Sequence, residues 1–216
     1  MKKVTKAAKL LGKMGGEVTS DSKTEAARTN GTKGGRPRKR DKELSESLPS
    51  ILGPTLEIIN QLERESILRQ PTIGGSIALM YYTQPMYTDD LDIFCYIPNQ
   101  GLIVHLGPIY SRLEELGCTV NNMYVHIKGV DVQFLTPSLP IEIEAIQNTV
   151  AITVNGVSTH VLGYEYALAI KANANRPKDW AQIATALEST APDKKKLDAI
   201  LNKYGLSDRW RRKIEE

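Results

Sequence analysis

The chain has few of the residues from which disulfide frameworks and zinc sites are built. Its 216 residues include two cysteines and three histidines. Cys95 and Cys118 lie far apart, and neither has a second cysteine or a histidine at the spacing of a zinc ligand set. These counts exclude a disulfide-stapled fold. They predict that both thiols are reduced core residues of a cytoplasmic protein.

Long apolar runs are also missing. No uninterrupted apolar stretch approaches the roughly 20 residues of a membrane-spanning helix, so we expect no membrane partner. Five lysines between Met1 and Met14 interrupt the apolar region that a secretion signal would need. Apolar residues nevertheless make up 41% of the chain, which is enough to build the core of one domain with appendages.

Positive charge is concentrated at one end of the chain. The net charge is +3, but residues 1–43 carry 13 Lys and Arg against 5 Asp and Glu, whereas residues 44–216 carry 15 against 20. Residues 1–42 also have few apolar side chains, so they predict a flexible, disordered basic arm on a mildly acidic globule. Two interpretations stay open for this arm: contact with the phosphates of RNA or DNA, or a solvated linker.

Apolar spacing divides the remaining chain into a core, residues 43–162, and a helical C-terminal subdomain, residues 163–216. The fold class is therefore α+β: a small mixed β-sheet with helices, followed by a helical C-terminal part. Predicted helices span residues 48–68, with Pro54 at a helix start, 76–82, 103–116, 164–173, 178–187, 193–204 and 207–214. Predicted strands span residues 88–97, 119–127 and 130–135, and the last two form a hairpin around Lys128-Gly129. A second hairpin spans 150–161 with its turn at Asn155-Gly156, and 141–149 is ambiguous.

Two carboxylates stand on one short apolar strand. Period-two alternation places Asp90 and Asp92 on one face and Leu91 and Ile93 on the other. Their Cα atoms are then roughly 6 to 7 Å apart, and the side chains can converge on two divalent cations about 3.5 to 4 Å apart. Solvated acids at a strand edge are the alternative. Because unpaired buried carboxylates cost several kcal/mol each, the apolar neighbours favour metal ligation.

A third acid stands on a second alternating strand. Asp131 and Gln133 share one face of the segment Val130–Leu135, opposite Val132 and Phe134. A two-metal site usually takes a further carboxylate, so Asp131 is predicted as a catalytic and metal-binding residue. A polar solvent-facing strand is the alternative.

Glycines and cations supply candidate phosphate contacts. Gly74, Gly75 and Ser76 open a predicted helix, where free backbone N–H groups and the helix dipole can hold phosphate oxygens. Lys171, and the pair Arg176 and Lys178 at the next helix start, can neutralise phosphate charge. Ordinary surface charges at a helix junction are the alternative. A phosphate cradle with a carboxylate pair indicates the handling of a nucleoside triphosphate.

Several short segments of the chain, taken in sequence order, resemble the motifs of a known family. Gly74-Gly75-Ser76 followed by Thr88-Asp89-Asp90-Leu91-Asp92-Ile93 resembles the signature of the polymerase-β-type, or minimal, nucleotidyltransferases. The segments VDVQFL (130–135), EYALAIK (165–171) and RPKD (176–179) resemble the AbiEii-like bacterial branch, some members of which are toxins of toxin–antitoxin pairs. The resemblance covers roughly residues 70 to 210. One departure is Met86, which stands where an arginine is often found.

The resemblance implies a Mg²⁺-dependent transferase with a nucleotidyltransferase core. Gly75 and Ser76 would bind the nucleoside triphosphate, ATP or another, and Asp90 and Asp92 would hold two magnesium ions. Lys171 and Lys178 match the family's basic positions, and Asp179 matches its late acidic position. The acceptor hydroxyl could be on an RNA 3′ end, a protein or a small molecule such as an antibiotic, and an antitoxin would be a partner. The alternative is a catalytically inactive protein of this fold that binds nucleic acid through its basic arm.

Overall fold

The computed structural model of the chain describes residues 39–98 and 105–215, with side chains from residue 51 to residue 214 within those ranges. Residues 1–38 of the predicted arm lie outside the described residues. The helices are α1 (Lys39–Arg64), α2 (Gly75–Tyr82), α3 (Gly107–Glu115), α4 (Pro140–Gln147), α5 (Tyr164–Ala174), α6 (Pro177–Ser189), α7 (Lys194–Lys203) and α8 (Ser207–Trp210), the last followed by a π-helix, Arg211–Glu215. The strands are β1 (Arg69–Ile73), β2 (Leu91–Tyr96), β3 (Thr119–Asn121), β4 (Tyr124–Ile127), β5 (Val130–Leu135), β6 (Val150–Val154) and β7 (Val157–Val161).

The strands form one mixed sheet in the order β3-β4-β5-β2-β1-β7-β6. Two neighbouring pairs, β2–β5 and β1–β7, are parallel, and the other pairs are antiparallel. Helices α5 to α8 follow the last strand along the chain. The predicted α+β class, with a mixed sheet and a helical C-terminal part, is confirmed.

Strand β2 lies at the centre of the sheet, between β5 and β1. Leu91, Ile93 and Cys95 are buried in the core, and burial raises the pKa of the Cys95 thiol to about 12. Asp92 lies opposite Gln133 of β5 in the parallel register. The strand that carries the predicted metal ligands is therefore fixed on both edges by backbone hydrogen bonds.

The prediction that Pro54 begins a helix is wrong, because Pro54 lies inside α1. A proline in a helix interior costs about 3 kcal/mol, since it removes one backbone hydrogen bond and crowds the preceding turn. The helix continues because it packs a full apolar stripe against the sheet: Leu52, Leu56, Ile59 and Leu62 are all buried. Burial of each such side chain contributes roughly 1.5–3 kcal/mol, which outweighs the proline.

Two further segments differ from the sequence expectation. The sequence predicts one strand over residues 119–127, but the segment forms β3 and β4. Asn122 adopts the left-handed conformation, φ +53°, that a tight turn between them requires. The ambiguous segment is helical as α4. The two hairpin turns at Lys128-Gly129 and Asn155-Gly156 are confirmed, each with two positive φ values.

Among the helices that the structure describes, none is both long enough and apolar enough to cross a bilayer.

Candidate active site

Asp90 and Asp92 lie together where β2 begins. Asp90 immediately precedes the strand, Asp92 is its second residue, and both side chains are partly buried. Burial, together with the negative charge of Asp90, raises the pKa of Asp92 to about 6. Among the described residues, none forms an ion pair with Asp92. The site thus holds a carboxylate that lacks a direct counter-charge.

The Gly74-Gly75-Ser76 turn lies directly against this carboxylate. The antiparallel pairing of β1 with β2 places Ile73 opposite Ile93, and the N–H of Gly74 donates to the Asp92 carbonyl oxygen at 2.9 Å. Gly75 has a φ of +56°, and a Cβ there would overlap Oδ2 of Asp92 and lie 2.8 Å from its Cγ. Only glycine fits this position, because it tolerates the left-handed backbone and leaves space for the carboxylate.

Ser76, the second residue of α2, is held by a buried polar network. Its hydroxyl donates to Oε1 of Gln182 at 3.0 Å and accepts from Nζ of Lys171 at 3.4 Å. The Lys171 ammonium also donates to Gln182 Oε1 at 2.7 Å and to Asp179 Oδ1 at 3.3 Å. These four residues are each at most 7% exposed. The network therefore joins the start of α2 to α5 and α6 with nearly every polar group satisfied.

Arg176 closes the outer side of the network. Its Nε donates to Oδ2 of Asp179 at 2.6 Å and its Nη2 to Oδ1 at 3.1 Å. Burial would raise the pKa of Asp179, but the hydrogen bonds from Arg176 and the charge of Lys171 hold it below its usual value. Burial lowers the pKa of Lys171. Asp179, Lys171 and Arg176 thus share one charge-assisted cluster.

The three predicted cations act on the carboxylate site through their charge. Lys171, Arg176 and Lys178 each favour the charged form of Asp92 and so lower its pKa, although burial outweighs them. Lys171 is 6% exposed and committed to the network, whereas the Arg176 side chain is 70% exposed and Lys178 is exposed. Arg176 and Lys178 are accordingly the cations that a ligand from solvent could meet first.

Asp131 lies on β5 and is solvent-exposed. It is the cross-strand neighbour of His126 on β4, and Nδ1 of His126 lies 2.9 Å from Oδ1 of Asp131. Tyr124 lies two residues before His126 and so on the same face of β4. The charge of Asp90, with smaller effects of burial, Asp92 and Asp131, raises the Tyr124 pKa. Tyr124 therefore lies in the field of all three acids.

The sequence interpretation missed Tyr124, His126 and Gln182. The histidine and tyrosine alternate along β4 on the face that meets Asp131, a pattern that the sequence contains but that becomes informative only with the strand pairing. Gln182 follows Asp179 by three residues on one face of α6, which is a helical spacing that could have linked it to the predicted acid.

The donor set fits magnesium. Mg²⁺ is commonly held by one or two carboxylates, with the other ligands from water and substrate phosphates. Asp90 and Asp92 supply such a pair at the start of β2. Within residues 39–98 and 105–215, no three His, Cys, Asp or Glu side chains are grouped to hold a metal ion. The role of Asp131 as a third ligand stays a prediction.

Comparisons with known proteins support the fold assignment. Neither the protein-family models nor the curated proteins gave a match to this chain. An antigenic nucleotidyltransferase-like protein from Paracoccidioides brasiliensis is similar in structure, with a TM-score of 0.53 and 13% identity, over 79% of this chain and 94% of that one.

Two structures of the antibiotic-resistance factor ANT(2″)-Ia are more distant, each with a TM-score of 0.48 over 76% of this chain. One, in complex with adenylyl-2″-tobramycin, is 15% identical and covered over 99% of its length. The other, a solution structure, is 16% identical and covered over 94%. The likeness to the Paracoccidioides protein, at 13% identity, is one of fold, and this chain has the fold of a nucleotidyltransferase-like protein.

Proposed function

We propose that this protein is a Mg²⁺-dependent nucleotidyltransferase that moves a nucleoside monophosphate from a nucleoside triphosphate to an acceptor hydroxyl. The observation that carries the proposal is the contact between the Gly75 turn and the Asp92 carboxylate. A helix start can hold phosphate oxygens through its free N–H groups. A carboxylate pair beside it can hold the cation that such phosphates require.

Each residue has a defined task in this proposal. The N–H groups of Gly75 and Ser76 bind the triphosphate, and Arg176 and Lys178 offset its negative charge. Asp90 and Asp92 hold the metal, and bound magnesium would supply charge stabilisation at the phosphoryl oxygens. Asp131, exposed and oriented by His126, takes the proton of the acceptor hydroxyl. The acceptor oxygen then forms a bond to the α-phosphorus as the bond to pyrophosphate breaks, and pyrophosphate leaves.

The AbiEii-like assignment and the toxin role belong to the same proposal. They are supported by the order of the resembling segments, whose residues Lys171, Arg176 and Asp179 form one cluster beside the phosphate turn. We propose an RNA 3′ end or a protein hydroxyl as the acceptor and an antitoxin as a partner. The charge of residues 1–43, with 13 Lys and Arg against 5 Asp and Glu, favours nucleic acid.

The test is transfer of label from each α-³²P nucleoside triphosphate to cell extract, with Mg²⁺ or with EDTA. We expect one class of macromolecule to become labelled only with Mg²⁺, and the label to be absent with the Asp90→Asn/Asp92→Asn variant. The Asp198→Asn variant, which changes an exposed acid on α7, is the control and should label normally.

The same experiment examines the second candidate, a non-catalytic protein that binds nucleic acid through its basic arm. That function predicts no labelling with any triphosphate. It also predicts a nucleic-acid affinity that falls steeply with salt and that is lost when residues 1–38 are deleted. Mg²⁺-dependent labelling by the chain without residues 1–38 would contradict it.

Lys178 and Lys171 are expected to respond differently to substitution. Lys178→Ala removes an exposed charge, so the KM for the triphosphate should rise about 3–10-fold with little change in melting temperature. Lys171→Met leaves Gln182 and Asp179 without their buried donor, so the free energy of unfolding should fall by about 1–3 kcal/mol and turnover should fall with it. Thermal unfolding and steady-state kinetics measure both.

Lys195→Ala, at an exposed lysine of α7, is the control for loss of one positive charge and should change neither quantity. Equal KM values for the Lys178→Ala and Lys195→Ala variants would remove Lys178 from the proposed phosphate site.

A further inference from the structure

Gln182 uses both ends of its side-chain amide, although it is 7% exposed. Its Oε1 accepts from the Ser76 hydroxyl at 3.0 Å and from the Lys171 ammonium at 2.7 Å. Its Nε2 donates to the Tyr87 carbonyl oxygen at 3.3 Å. The orientation of the amide is defined by chemistry, because an ammonium can only donate and so must face the oxygen.

These hydrogen bonds join two separate parts of the candidate site. Ser76 belongs to the phosphate turn, whereas Tyr87 lies in the irregular segment 83–90 that leads into β2. From there Thr88, which is buried, extends the connection to Asp90, since its hydroxyl lies 3.3 Å from both the carbonyl oxygen and Oδ1 of Asp90. Gln182 therefore reaches the phosphate turn on one side and the metal-binding carboxylates on the other.

We infer that Gln182 is a positioning residue that sets the spacing between the phosphate-binding turn and the Asp90–Asp92 pair. This inference rests on the proposed function for its kinetic consequence, but its structural consequence can be measured alone. The segment 83–90 contains no strand or helix; buried Met86 and Thr88 and a bond from the Gln84 N–H to Ser189 Oγ help to hold it. Gln182 adds a bond to the Tyr87 carbonyl oxygen and joins the segment to Ser76 of the phosphate turn. Misplacement of reacting groups by about 1 Å can cost on the order of 100-fold in rate.

Two variants separate the two halves of the link. Gln182→Met keeps the length of the side chain and removes all of its hydrogen bonds. Gln182→Glu keeps an acceptor for Ser76 and Lys171 but loses the donor to Tyr87. Ile183→Val, at the next and fully buried position of α6, is the matched control, because it loosens the same helix by a small cavity without touching the network.

Hydrogen–deuterium exchange of the intact protein gives the first readout. We expect backbone amides of residues 74–79 and 83–92 to exchange about tenfold faster in Gln182→Met, only those of 83–92 to do so in Gln182→Glu, and neither segment to change in Ile183→Val. The second readout is kinetic: kcat/KM should fall about 100-fold in Gln182→Met, mainly through kcat, and less in Gln182→Glu.

The outcomes distinguish this inference from the proposed function. Unchanged exchange in both segments, in whichever of the two Gln182 variants folds, overturns the positioning role whatever the activity. Faster exchange confined to the Gln182 variants supports it, and if the wild-type protein then shows no transfer with any triphosphate, the proposed function fails while the structural link stands. A loss of kcat/KM of equal size in Ile183→Val would also overturn it, because destabilised packing would then explain the loss.

Discussion

Asp92→Asn is expected to stop nucleotidyl transfer and, at the same time, to make the metal-free protein more stable. The activity loss should exceed the 10–100-fold that supporting groups of a metal site typically cost. The stability gain has a separate cause: burial and the charge of Asp90 raise the pKa of Asp92 from 3.8 to about 6. Ionisation of Asp92 therefore opposes folding.

The sign of the pH dependence follows from that shift. Because the folded-state pKa is above the unfolded value, the penalty is fully present above pH 6 and disappears as the pH falls through 6 towards 3.8. At most it amounts to about 3 kcal/mol, less the share that solvent screens. Urea unfolding in EDTA should therefore show Asp92→Asn more stable than wild type at pH 7.5, with little difference near pH 4.

Two control measurements test this prediction. Asp198→Asn, on the exposed face of α7, should leave stability and transfer unchanged at both pH values. Added Mg²⁺ should raise the melting temperature of the wild-type protein, because a ligand of the folded state stabilises it, and should not raise that of Asp92→Asn. Equal stability of wild type and Asp92→Asn at pH 7.5, or normal transfer by the variant, would contradict the metal assignment.

Gly75→Ala should be the most damaging single methyl addition in the site. The left-handed φ of +56° disfavours alanine, and such strain costs of order 1–3 kcal/mol. The new Cβ would also overlap the Asp92 carboxylate, which must shift. We expect a total loss of about 2–4 kcal/mol in the free energy of unfolding and a loss of transfer of more than about 100-fold.

Gly205→Ala isolates the backbone contribution. Gly205 has a φ of +67° and open space where a Cβ would lie. The Gly205→Ala protein should therefore lose stability through backbone strain alone and keep full activity. In an Asp92→Gly background, Gly75→Ala should cost no more than Gly205→Ala, since both the overlapping carboxylate and the Asp92 Cβ, 3.1 Å from the new methyl, are gone. A larger cost there would mean that the damage does not come from Asp92.

The contact between Gly75 and Asp92 could be predicted because its parts lie on consecutive elements. A glycine turn at the start of a helix, followed by alternating acids on an apolar strand, is a local pattern, and β1 and β2 are neighbours in the sheet. The cluster around Lys171 was accessible only through the order of the family's segments. The residue types in that cluster, taken alone, were equally consistent with ordinary surface charges at a helix junction.

The remaining site residues depend on packing over long sequence separations. Gln182 contacts Ser76 across 106 residues of sequence. The apolar periodicity of α6 predicts that the helix packs against something, but it does not predict against which element. Tyr124 and His126 acquire meaning only from the register that places His126 opposite Asp131. Pro54 was misread for the same reason: a local rule about proline was outweighed by apolar burial that depends on the finished sheet.

The hydrogen bond between Ser76 and Gln182 restricts which residues can be combined at these two positions. It joins the start of α2 to α6, which follows the last strand of the described sheet along the chain, so the two positions cannot vary independently without loss of the donor–acceptor match. A chimaera that takes residues 39–162 from one parent and the C-terminal helices from another would keep the core of each part. It would nevertheless take position 76 and position 182 from different parents, and we therefore expect such a chimaera to fold and act normally only where both parents keep a matching donor and acceptor at these positions.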